Sequence, residues 1–195
     1  MAAERRQGVA LIFVVVTLAV MLILATTILV NSASRGYQQR LFSATSALLR
    51  FRSEFGAQGN DPSFIQDLNQ APGRLSQLYQ KLTNQDLDSC DQPFGNNEIN
   101  NWRGPYHLVP MLKGEPYQIE PGLVAQDTLL RTPSTASGQQ PGTLSVVMLD
   151  VQLELAQDLG FALDGVKTGA GPQITFQPNG SQPVTVYFNV PIQGC

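Results

Sequence analysis

The sequence predicts an α+β fold: a long N-terminal helix, transmembrane in its first half and amphipathic in its second, packed on an antiparallel β-sheet. Three observations predict it. Residues 9–30, "VALIFVVVTLAVMLILATTILV", form a run of 22 positions without a charge. Beyond this run Tyr37, Leu41, Ala44, Leu48, Phe51 and Phe55 recur at alternating steps of four and three, which places them on one helical face. From residue 106 onward, short stretches rich in β-branched and aromatic residues are separated by Gly, Pro and Asn, as strands and turns are.

The uncharged run rises about 33 Å as a helix, against about 30 Å for the hydrocarbon core of a bilayer. The apolar centre of a secretory signal is shorter, about 7 to 15 residues, although Ser32-Ala33-Ser34 has the small-residue composition of a signal cleavage site. The pattern does not stop at the membrane surface. Gln38, Arg40, Ser43, Ser46, Arg50 and Arg52 fall between the apolar positions and face water or neighbouring chains. One continuous helix of about 45 residues is expected, ended by Gly56, Gly59 and Pro62.

Short helices are expected in the connecting region, residues 56–105. Asp61 is placed as an N-cap with Pro62 at the first helical position. Leu75, Leu78, Tyr79 and Leu82 lie on one face of a second short helix. The sheet domain, residues 106–195, is expected to be a meander with strands at 106–112, 122–131, 143–151, 172–177 and 183–190. Asn179-Gly180 marks a hairpin turn between the last two, and "QLELAQDLGFALDG" a short helix with Leu155, Leu159 and Ala162 inward. "RTPSTASGQQPG" reads as an exposed loop.

At 195 residues the chain has room for one domain of about 150 residues after the apolar segment. Up to Ser53 six arginines face the single acid Glu4, whereas from Glu54 onward six bases face fourteen acids, a net charge of −8. An acidic domain is a poor nucleic-acid binder, and the arginines flanking the apolar run suit lipid headgroups or acidic partners. Cys90 and Cys195 are the only candidates for a disulfide. A bridge requires a domain outside the reducing cytosol and closes a loop of about 100 residues, contributing at most about 4.7 kcal/mol; the alternative is two unrelated thiols.

No cofactor, metal or catalytic residue is expected. Two isolated cysteines and the lone His107 lack ligand spacing. Asp86, Asp88 and Asp91 cluster around Cys90 but miss a regular calcium loop, so a solvated acidic loop is the reading. His107, between Tyr106 and Leu108 in an alternating stretch, reads as structural or surface-exposed. "GVKTGAG" lacks the spacing of a phosphate-binding loop, and no G-x-S-x-G elbow occurs. Catalysis is not expected.

The leader "MAAERRQG" is short and basic and ends in Gly8, whose missing side chain leaves the next peptide bond open to a protease. This leader, the apolar run and the amphipathic continuation together resemble the N-terminal segment of type IV pilins and of the pseudopilins of type II secretion systems. The resemblance implies cleavage by prepilin peptidase between Gly8 and Val9 and N-methylation of Val9. It divides the chain into a leader at 1–8, the transmembrane half of the stem at 9–30 and its amphipathic half at 31–55. The family's major subunits carry glutamate at the fifth mature position, where this chain has Phe13. A carboxylate in lipid is costly unless paired, so its loss removes a reason for docking beneath another subunit and suggests a minor or tip-associated subunit. "NNWRGPYHLVP" is similar to the Trp-x-Gly-Pro-Tyr turn through which such subunits enter their first strand, with Trp102, Gly104, Pro105 and Tyr106 in its positions.

The resemblance implies other pilin-like subunits, the peptidase, an inner-membrane platform protein, an assembly ATPase and membrane lipid as partners. It implies a precursor in the bacterial inner membrane with its domain in the periplasm. Arginine counts on the two sides of the apolar run are nearly equal, so this orientation rests on the resemblance and on the cysteines. The competing expectation is a single-pass membrane-anchored periplasmic binding domain that never polymerises.

Overall fold

The computed structural model describes residues 2–56, 63–107, 117–120, 123–132, 142–178, 180 and 182–192, with side chains in the first helix at 17–23, at 26 and from 34 onward. The chain divides into two compact units, Met1–Arg40 and Leu41–Cys195. The first helix, α1, is Ala2–Phe55. In the first unit Leu18, Val20, Met21, Leu22 and Ile23 are exposed. Thr26 turns its hydroxyl back on the helix, donating to the carbonyls of Leu22 at 3.0 Å and Ile23 at 2.9 Å.

One part of the expected architecture is corrected. Among the described residues no helix is long and apolar enough to cross a membrane. α1 is helical throughout Ala2–Phe55, so what differs from the expectation is apolar span among the described residues and not helix length. The fold class is α+β with an antiparallel sheet, and the membrane-crossing stem that hydropathy predicts is not found among the described residues.

The second unit holds α2 (Phe64–Leu68), a 3-10 turn at Leu75–Leu78, α3 (Asn96–Asn101), β1 (Tyr117–Glu120), β2 (Leu123–Ala125) and β3 (Leu130–Thr132). They are followed by β4 (Gly142–Val151), α4 (Leu153–Asp164), β5 (Ile174–Phe176) and β6 (Val184–Ile192). The sheet order is β1-β2-β4-β6-β5, with β3 also on β4, and every pairing is antiparallel. This is not the expected meander: β6, the last strand, inserts between β4 and β5. The two longest strands therefore form the centre, where each is hydrogen-bonded on both sides.

Period-2 burial marks which face of the sheet carries the core. Val184, Val186, Phe188, Val190 and Ile192 of β6 are buried, as are Leu144, Val146 and Met148 of β4. Onto this face α1 contributes Ala44, Leu48, Phe51 and Phe55, all buried, with Leu41 packed against the cluster. Phe64, Leu75 and Leu78 come from the connecting region and Leu159 from α4. Gly160 lets the chain after α4 fold back on the helix, because a Cβ there would meet the Val166 carbonyl oxygen at 2.7 Å. Gly165, at φ +73°, ends α4, and the Asp164 carboxylate accepts the amides of Gln173 and Ile174, tying the helix end to β5.

Several local expectations are corrected. Tyr106 and His107 are not in a strand, and residues 108–112 lie outside the described residues. The expected strand at 122–131 is two strands, β2 and β3, split at Asp127, just after the Gln126 amide makes its last bond to the Val147 carbonyl of β4 at 2.9 Å. β1, at Tyr117–Glu120, was not expected at all. The N-cap of α2 is Ser63; Asp61 and Pro62 lie outside the described residues, as do Gly59, Asn179 and residues 133–141. The second connecting helix is only the single 3-10 turn, because Asp127 reaches in to bind the Ser76 amide at 2.7 Å and its hydroxyl at 3.0 Å.

Candidate functional site: a latch on the first helix

The Trp-x-Gly-Pro-Tyr segment and the residue that follows it form a polar and aromatic cluster that reaches α1. Gly104 is required by packing, since a Cβ there would run into the Trp102 indole. The Gly104–Pro105 peptide is cis. The turn is anchored by main chain, with the amides of Tyr106 and His107 both donating to the Leu78 carbonyl at 2.7 and 3.1 Å. Trp102 and Tyr106 meet edge to face with centroids 5.8 Å apart, and Tyr106 meets Phe64 likewise at 5.6 Å. The Trp102 indole N–H donates to the Gln77 carbonyl at 3.4 Å.

Tyr106 carries the polar half of the cluster. Its hydroxyl donates to Asp67 Oδ2 at 2.8 Å and accepts the Arg103 amide at 3.1 Å. Burial pushes the phenol up to about 12; the Arg103 N–H bond opposes the rise and the Asp67 carboxylate adds to it. Arg103 Nε lies 3.7 Å from the other oxygen of Asp67. This is a mostly exposed arginine on a buried carboxylate, so its contribution is small.

His107 is the contact with α1. Its Nδ1 lies 2.9 and 2.8 Å from the two carboxylate oxygens of Glu54, and its ring stacks on Phe51 at 5.2 Å and 10°. Both side chains are nearly removed from water, at 10% exposure for His107 and 9% for Glu54. One turn of α1 thus presents a ring and a carboxylate to a single imidazole. A second tie lies nearby, where Arg52 Nη1 donates to Gln173 Oε1 at 2.8 Å and Gln173 Nε2 donates to the Leu163 carbonyl at 2.8 Å. The helix is held by aromatic stacking, a buried His–Glu pair and an Arg–Gln bond, from two different segments of the second unit. The partners of the imidazole orient it against α1.

The expected turn residues Trp102, Gly104, Pro105 and Tyr106 are together here, and they seal Phe64 and the Leu78 turn while His107 reaches α1. Sequence reading missed Glu54, because a glutamate on the flank of an apolar helical stripe looks solvated, and only the position of His107 shows otherwise. The side chains of Gly8, Val9 and Phe13 lie outside the described residues. Cys195 lies outside them too, while Cys90 is not a free thiol and its amide donates to Asp88 Oδ1 at 2.7 Å. Asp88 also accepts the Gln92 amide at 2.9 Å, and Asp86 accepts the Thr83 amide and hydroxyl, each at 2.7 Å. These carboxylates are engaged with their own turns, and among the described residues no group of three His, Cys, Asp or Glu side chains is placed to hold a metal. No protein-family model, curated protein or solved structure matches the chain.

Proposed function

We propose that this chain is a minor structural subunit of a type IV pilus or a type II secretion pseudopilus, processed by prepilin peptidase and assembled through its N-terminal segment. The observation that carries the reading is the junction "RRQG/VALIF": a basic leader, a glycine and then 22 uncharged residues, continuous with the helix whose other end is held by His107 and Arg52. A subunit pulled or packed by its N-terminal segment needs such a hold, because force on the helix otherwise strips it from the domain.

In this reading the precursor sits at the inner membrane through the apolar segment 9–30, with its domain in the periplasm, where Cys90 and Cys195 pair. Prepilin peptidase removes residues 1–8 and methylates Val9. A cytoplasmic ATPase and a platform protein supply the work of extraction, and neighbouring apolar segments replace lipid around residues 9–30. Exposed Leu18, Met21, Leu22 and Ile23 support this, since an apolar surface of that kind is covered by lipid or protein in use. Phe13 in place of an acid makes the subunit a minor one, placed toward a filament end. The role is structural, not catalytic.

Imaging sheared filaments that carry a tag on this domain tests the assignment. Label at filament ends or at rare positions is the expected result, and uniform decoration of the shaft contradicts the minor role.

A further inference from the structure

The face of the sheet away from α1 carries a feature that filament assembly does not use. Where β5 ends and β6 begins, a solvent-open cavity of about 720 Å³ is lined by residues of both strands, the outward Thr175, Thr185 and Tyr187 among them. That is within the range of about 300–1,000 Å³ usual for small-ligand sites. Thr175 and Tyr187 are directly opposed across the β5–β6 ladder, and Thr185 stands one pleat further along the same face. Gln177 closes one side, and Pro178 and Pro183 form stiff walls at the two strand ends. The back is fixed by Gly169, at φ +74°, whose carbonyl accepts the Phe176 amide at 3.0 Å and where a Cβ would run into Phe176.

The chemistry of this lining is narrow. Among the described residues it contains three hydroxyls, one carboxamide and one phenol ring, and no charged side chain. A phosphate or carboxylate ligand finds no cation to pair with, and an ammonium finds no acid. A purely apolar ligand would leave these hydroxyls and the amide without water or partners, at about 1–3 kcal/mol each. A ligand that offers hydroxyls at its rim and C–H groups on its face satisfies both parts, with its flat side on Tyr187. The orientation is set beforehand: Ser145 donates to Asn189 at 2.7 Å, and Asn189 Nδ2 donates to the Thr175 hydroxyl oxygen at 3.2 Å. With that lone pair taken, the Thr175 O–H is the group it offers outward.

We propose that this cavity is a binding site for a short neutral oligosaccharide, with Tyr187 as the stacking platform and Thr175, Thr185 and Gln177 as the hydroxyl-reading groups. The site is independent of processing and polymerisation, so it stands or falls apart from the filament reading.

The test is titration of the full-length chain, in a zwitterionic detergent without sugar headgroups, with cellotriose, maltotriose and N,N′-diacetylchitobiose, followed by saturation-transfer NMR and calorimetry. Binding of at least one of the three is expected, weakened about tenfold or more in Tyr187→Ala and again in Gln177→Ala, with the unfolding midpoint unchanged. Gln177 is exposed, so its variant keeps the experiment decisive if Tyr187→Ala folds poorly. Absence of binding by all three up to about 10 mM, binding of glucuronic acid alone, or affinities that both variants leave intact would overturn the site.

Discussion

Glu54 and His107 show how much a single contact carries when water is excluded from it. His107→Ala leaves the Glu54 carboxylate buried beside Phe51 without its partner, and loss of one member of a buried pair costs about 3 kcal/mol. Denaturant unfolding of the full chain is expected to show that loss, and an unchanged midpoint would mean the pair is incidental. Tyr106 gives a pH signature. Its folded-state value, about 12, lies above the ordinary value of 10.0, so the folded chain holds the phenol proton more tightly. Stability is therefore fully present below about pH 10 and declines as pH rises through about 12. Tyr79 is raised in the same direction, by burial and by its bond with Tyr117, and extends the decline to higher pH. In Tyr106→Phe the decline between pH 10 and 12 should shrink, measured as the slope of the denaturation midpoint against pH.

At the scale of elements, α1 has two faces with different duties within the second unit. Phe51 is fully buried against the sheet, and Phe51→Ala should cost about 3–5 kcal/mol through lost burial and the cavity left behind. Phe42 is 75% exposed and Leu49 44% exposed, seven residues apart and thus nearly in line along the helix. Phe42→Ser should leave the unfolding midpoint within about 0.5 kcal/mol of the parent while reducing incorporation into filaments. A midpoint that falls as far as in Phe51→Ala would show that Phe42 is a core residue. The core face of this helix was legible because period 3.6 leaves an unmistakable stripe in Leu41, Ala44, Leu48, Phe51 and Phe55. β6 was legible because it alternates strictly, and β4 because its centre is a continuous apolar run bounded by turn residues. β1 was not, because Tyr117-Gln-Ile-Glu is only four residues, too short for alternation to stand out even though Pro116 and Pro121-Gly122 bracket it. The insertion of β6 between β4 and β5 could not be read either, since pairing partners distant in sequence leave no local mark. The break between β2 and β3 belongs to Asp127, whose pull toward Ser76 is a tertiary contact that overrides local strand preference.

For the whole molecule, the sequence's strongest signal and the described structure bear on different things. Hydropathy over residues 9–30 led to the expectation of a membrane-crossing helix, while among the described residues no helix meets that requirement. The turn at Trp102–Tyr106 was recognisable from its residue types, yet its purpose was not, because His107 reaches Glu54 across 53 positions of sequence. The cavity over Thr175 and Tyr187 was invisible for the same reason: threonine, glutamine and tyrosine on an exposed strand face look like ordinary solvent-facing residues until the hairpin and Gly169 bring them around one space. The central claim is that the chain is cut after Gly8 and kept with its apolar segment. Intact-mass and N-terminal peptide mass spectrometry of the chain purified from cells that contain the peptidase tests this most directly. A mature product beginning with N-methylated Val9 is predicted; a product that retains Met1 or Ala2, or begins near Ser34, would contradict the account.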